Sequence, residues 1–260
     1  MAIINGKYLR GILGPLVFSV QDGQQKVSVK KTPGTIKQTA ATKKAGRIFG
    51  LASKLGSLIR LVLQPLVKGF QDKTMHSRLA ADLCLVLSSC RNPDTGMFNF
   101  AEYSFSTVEG FEFNRKSPLR KSLGITPAVN LDKKVLKVAF PEGDAPIGLR
   151  FPRQATHCEI KMGLLLLRLD KSLMQQWTEW RSIVVDRADN VLNGKQFSFK
   201  VPAGCLCIVS LFLRYYQYTQ LLNNKQFSPA GICGARISPG QFKAGGGHFR
   251  VNMPDLKIPC

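Results

Sequence analysis

The chain has 260 residues and a mass of 28.8 kDa, enough to bury a core in one large domain or two small ones. Its 37 Lys and Arg against 16 Asp and Glu give a net charge of +21 and a pI near 10.0. Such a surface repels itself and favours a polyanion, an acidic partner or an anionic membrane surface. No apolar run in the sequence approaches the ~20 residues that span a bilayer, so no transmembrane segment is expected.

The charge is uneven: residues 1–80 hold fourteen basic residues and two acids, Asp22 and Asp72, a net of +12, and the rest of the chain carries +9. Lys7 and Arg10 precede an apolar stretch, Gly11 to Val20, in the manner of a signal peptide. Gln21-Asp22-Gly23-Gln24 offers no small-x-small cleavage site, so synthesis without a clear cleavable signal is expected, with release as an assembly left open. The segment Gly11–Val20 reads as extended, Asp22-Gly23 as a turn, and Lys26-Val27-Ser28-Val29-Lys30 as an alternating, half-buried strand. Residues 12–31 are therefore expected to form a β-hairpin. Its apolar positions Ile12, Leu13, Leu16, Val17, Phe18, Val27 and Val29 are candidate assembly contacts, because an isolated hairpin is marginally stable and must pack on something.

After Thr32-Pro33-Gly34 the period changes. From Ile48 the apolar residues Leu51, Leu55, Leu58, Ile59 and Val62 fall on one helical face, with Thr39 or Thr42 as cap. Lys37, Lys43, Lys44, Arg47, Lys54 and Arg60 lie largely off that stripe and are the candidate polyanion-binding residues. Pro65 is expected to kink or end the helix, and a second helix is expected over 66–88, before the breaker Asn92-Pro93-Asp94-Thr95-Gly96. Strands are expected at Met97–Phe105, Gly110–Arg115, Lys134–Phe140, His157–Leu169, Ser182–Arg187, Gln196–Val201, Cys205–Tyr218 and Gly231–Ile237. The long apolar run from Cys205 reads as a strand buried on both faces.

These elements predict an α+β, mostly β fold: an N-terminal β-hairpin and one or two helices, followed by an antiparallel β-sandwich or barrel-like region. Residues 1–115 form the basic N-terminal part, 116–130, with Pro118, Gly124 and Pro127, the junction, and 131–260 the sandwich-like region.

No catalytic constellation is visible. His76, His157 and His248 stand in no metal-ligand spacing, and Cys205-x-Cys207 lacks a second Cys or His pair. Of seven cysteines at irregular spacing, most read as small buried hydrophobes. Gly245-Gly246-Gly247 precedes a strand-like segment and reads as a turn, not a phosphate loop. Neither an enzyme activity, a cofactor nor a metal is expected.

The glycine-punctuated start Gly11-Ile12-Leu13-Gly14-Pro15, the Arg47-x-Phe49-Gly50-Leu51-Ala52 helix, the Leu66-x₂-Gly69-Phe70 step and Phe98-Asn99-Phe100-x₂-Tyr103-Ser104-Phe105-Ser106 resemble, in order and spacing, an uncharacterised family of small basic Bacteroidota proteins, a domain of unknown function. The chain departs from that pattern at Leu16-Val17-Phe18, where the family is richer in glycine. The resemblance implies a bacterial origin and the same fold outline, and no mechanism.

The expected function is a non-enzymatic structural subunit that self-assembles as a homo-oligomer or polymer, such as a filament, tube or phage-like particle, around or beside a polyanion. The alternative is a sequence-non-specific nucleic-acid-binding protein that uses the basic helix.

Overall fold

The computed structural model describes residues 2–30, 38–141, 148–169, 175–189 and 194–240. Contacts divide the chain into two compact units, with the division at Ala45/Gly46. The fold is mostly β, with 39% strand against 23% helix, its sheets are antiparallel, and none closes into a barrel.

The N-terminal unit is a four-stranded meander of β1 (Ile3–Asn5), β2 (Tyr8–Leu13), β3 (Leu16–Gln21) and β4 (Gln24–Val29), each strand pairing with the next. Two-residue loops join them, and their chemistry matches the right-handed twist of paired strands. Gly6-Lys7 and Gly14-Pro15 place a glycine of positive φ first, and Asp22-Gly23 takes positive φ at both positions. The Asp22-Gly23 hairpin is as expected. The single extended segment Gly11–Val20 is instead two strands, because Gly14, at φ 57°, folds the chain back before Pro15.

The larger unit begins within α1 (Ala40–Val67) and continues with α2 (Met75–Ser89), a 3-10 turn at Ser106–Val108, the single turn α3 (Leu119–Ser122), β5 (Ala128–Asp132), β6 (Val135–Ala139), β7 (His157–Arg168), β8 (Gln175–Asp186), β9 (Gln196–Lys200), β10 (Cys205–Gln217), β11 (Gln220–Leu221) and β12 (Ala230–Ile237). The Thr39 hydroxyl accepts the Thr42 N–H at 3.2 Å and caps α1. Pro65 is accommodated inside the last turn, and α1 stops two residues later. Gly69, at φ 86°, then reverses the chain, so the second helix begins at Met75 and not at 66.

Two sheets follow. In the central one β7 lies between β8 and β10, and the far edge of β10 is shared by β12, along Leu206–Phe212, and β11, at Tyr216–Gln217. The smaller one is β5-β6-β9. One face of the central sheet, with Leu165, Leu167, Leu206, Ile208 and Phe212, joins a core with Leu55, Ile59 and Val62 of α1 and Leu79 and Leu83 of α2. The opposite face, with Ile160, Met162, Leu164, Val209, Leu211 and Tyr215, packs on Leu136, Val138 and Phe199 of the small sheet. The larger unit is thus a two-sheet sandwich with helices on its outer face. Cys205–Leu213 is buried at every position, as its unbroken apolar run predicts. Gly56 lets the helices approach: a Cβ there would stand 3.4 Å from Leu83 Cδ1.

The expected strands at Met97–Phe105 and Gly110–Arg115 are not strands. Their phenylalanines are held on turns and fill the helix-side core, Phe98 stacking on Phe100 at 5.7 Å and Phe113 on Phe212 at 5.9 Å. The second of these segments does run beside β12, where the Phe113 N–H donates to Ala230 O and the Ile232 N–H to Phe111 O, both at 2.9 Å. Residues 116–130 lie within the larger unit, where they carry α3 and the start of β5.

Gly234 marks where β12 meets β5: a Cβ there would come within 2.7 Å of the Val129 side chain, in the sandwich interior. Gly234→Ala should cost ~1–3 kcal/mol by overpacking. Gly46→Ala, on α1 with nothing within 4 Å, should stabilise by up to ~1 kcal/mol. Urea denaturation of the two variants checks both signs.

Candidate functional site

The alternation of the N-terminal sheet sorts its side chains by face. Register places Leu13 opposite Leu16, Leu16 opposite Val29, and Phe18 between Gly11 and Val27. Leu13, Leu16, Phe18, Val27 and Val29 therefore share one apolar face, which Val20 extends. Ile12 and Val17, also expected as assembly contacts, oppose each other on the other face, with Ser19, Lys26 and Ser28. None of residues 2–30 is buried, and Leu13 and Val29 are 59% and 70% exposed. Among the described residues β4 has no neighbour on its outer side, and it holds neither proline nor bulge. Strand β1, with exposed Ile3 and Ile4, escaped the sequence reading. Its signal was Gly6-Lys7, a glycine-first two-residue hairpin loop.

The basic candidates fall on α1. Lys43 and Lys44 are exposed in the N-terminal unit, and Arg47 and Lys54 are exposed in the larger one. Arg47 and Lys54, seven residues apart, sit within ~20° of each other around the helix, with Arg60 about 120° from Lys54. Arg60 is half-buried, and its Nε donates to Gly56 O at 3.2 Å. Lys37 lies outside the described residues. No acidic residue occurs anywhere in α1, so no carboxylate of the helix offsets this charge. By length and composition α1 also qualifies as a membrane span, but half of its qualifying window is buried inside the fold, as befits a core helix. The structure has no clear transmembrane segment among the described residues.

Other reactive groups are scattered. Cys84, Cys90, Cys158, Cys207 and Cys233 are free thiols, and Cys205 is buried. Burial pushes the Cys207 thiol up to about 12 and raises Cys158 further, which suits unreactive packing groups. His76 is exposed, and His157 stacks on Tyr216 at 5.1 Å. Glu159, beside it on the sheet, accepts the Ser182 hydroxyl at 2.6 Å and the Tyr216 hydroxyl at 3.3 Å. Among the described residues no three His, Cys, Asp or Glu are grouped to hold a metal. Gly245-Gly246-Gly247, His248 and Cys260 lie outside the described residues.

No family model, curated protein or solved structure matches the chain. The described surface offers two features: the exposed apolar side chains of the N-terminal sheet and an acid-free basic helix.

Proposed function

We propose that the chain is a non-enzymatic structural subunit that self-assembles through its N-terminal sheet, as in a filament, tube or phage-like particle. The observation that carries this reading is the apolar face shared by Leu13, Leu16, Phe18, Val27 and Val29, none of which is buried among the described residues. Ordering a residue's backbone costs ~1–2 kcal/mol, and a sheet with no core recovers little of that alone. A second copy of the chain supplies the missing cover. Apolar faces of two copies are self-complementary, the basic side chains of the opposite face stay in water, and the open β4 edge accepts a strand. Light scattering and negative-stain micrographs test this: regular particles with or without nuclease treatment support it, and a monomer at high concentration overturns it.

The acid-free α1 favours a second reading, sequence-non-specific binding of nucleic acid. Changing Lys43, Lys44, Arg47 and Lys54 to Glu should then abolish binding to mixed-sequence DNA in a filter assay. Wild-type affinity should fall with salt at a log–log slope of about −0.9 per phosphate contact. Binding indifferent to salt or to the four changes would remove this reading and leave the first intact.

A further inference from the structure

A cleft of about 240 Å³ opens along the C-terminal half of α1, wholly within the larger unit. Ser57, Arg60, Gln64 and Lys68 line it, together with Gln71 from the turn after the helix, above an apolar floor that includes Val67. The first four are spaced by three, four and four residues, which puts them on one ridge of the helix. Among the described residues no carboxylate lines the cleft, and neither Arg60 nor Lys68 forms an ion pair. With its Nε bonded to Gly56 O, the Arg60 guanidinium is anchored to the helix, and its terminal nitrogens retain their donors for another acceptor.

We infer that this cleft binds a phosphate ester of mononucleotide size. Two cations with no carboxylate partner among the described residues supply the charge, and the guanidinium fork suits the spread of phosphate oxygens. Two amides and a hydroxyl donate and accept at the rim, as sugar hydroxyls and base edges require. The apolar floor takes a flat body, and the volume falls just below the range of drug-sized pockets. The inference shares its anion chemistry with the nucleic-acid reading, uses different residues apart from Arg60, and does not depend on assembly.

The test is calorimetric titration of the full chain at low salt with AMP, adenosine and a short mixed-sequence DNA strand. AMP should bind and adenosine should bind at least about tenfold more weakly, since it lacks the charged group. The double variant Arg60→Gln, Lys68→Gln keeps Lys43, Lys44, Arg47 and Lys54 and should lose about tenfold or more of the AMP affinity with an unchanged melting temperature. Lys68→Glu, at an exposed position, gives the same reading should the double variant melt early. If the DNA strand binds and AMP does not, the double variant should flatten the salt slope for DNA by about 1.4, the worth of two single-strand phosphate contacts, and the phosphate then comes from a strand. Absence of binding by both phosphate probes, equal affinity for AMP and adenosine, or variants that bind as the wild type does would each overturn the site.

Discussion

Replacing Leu13, Phe18 and Val27 together by Glu is expected to abolish high-mass particles while the larger unit keeps its melting temperature. These three side chains share the apolar face of the N-terminal sheet, and none is buried among the described residues. Full burial of one such side chain is worth ~1.5–3 kcal/mol, so three lost from each interface remove several kcal/mol. Three carboxylates forced against an apolar partner each add a desolvation penalty of several kcal/mol. Together these exceed the ~8 kcal/mol that separates a micromolar contact from none, and association should disappear at any practical concentration. The paired change Ile12→Ser, Val17→Ser alters the opposite face and should weaken assembly much less. Sedimentation of the two variants beside the wild type separates the faces, and equal loss in both would show that the apolar face is not the contact.

The second large effect belongs to the larger unit. Asp72 sits in the turn between α1 and α2, where its carboxylate accepts the Thr74 N–H at 2.9 Å, the Thr74 hydroxyl at 2.8 Å and the Arg115 N–H at 3.0 Å, and pairs with Arg78 at 2.5 Å. Arg78 also donates to Glu112 O at 2.9 Å and lies over the Phe111 ring, so this one carboxylate holds the helix pair to the segment beside β12. Asp72→Ala leaves a largely buried guanidinium and two N–H groups without their acceptor and should cost about 3 kcal/mol in urea denaturation. Burial by itself would raise the Asp72 carboxyl. The Arg115 N–H, the Thr74 hydroxyl, the Arg78 guanidinium and the Thr74 N–H outweigh it and hold the group below its ordinary value. A folded value below the unfolded one contributes stability that is fully present above about pH 3.9 and is lost as the pH falls through the folded value. Wild type should therefore lose stability on that acid limb, and Asp72→Asn should show a shallower one. Glu112 works in the opposite sense. Burial pushes its carboxyl up despite the Leu119 and Arg120 N–H donors, so its contribution is present in acid and fades as the pH rises above about 4.3.

Much of the fold could be read in the chain because its strongest signals are local. The apolar run of β10 announced a strand covered on both faces, Asp22-Gly23 announced a hairpin, and the spacing from Ile48 to Val62 announced α1. The errors arose where tertiary contacts set the backbone. Phe98, Phe100 and Phe105 look like a strand in sequence, yet their rings converge from turns onto a core completed by residues more than a hundred positions later. β5 hid in a Pro- and Gly-bearing stretch because its partner, β6, gives it no local signature. The basic helix was legible from composition, but the cleft beside it was not, since Gln71 and Phe113 reach its lining only through the fold. The apolar face of the N-terminal sheet was half legible: alternation names its residues, and only the structure shows that none of them is buried among the described residues.

Each strand of the N-terminal meander pairs only with its neighbours in sequence, so its strand pairing uses no residue that lies downstream. Local pairing of this kind forms quickly. At a synthesis rate of about 5–20 residues per second, residues 2–30 leave the ribosome some ten to forty seconds before β12 does. On the assembly reading, neighbouring nascent chains on one messenger carry finished contact surfaces while their cores are still being made. Subunits would then meet their siblings before they meet unrelated partners.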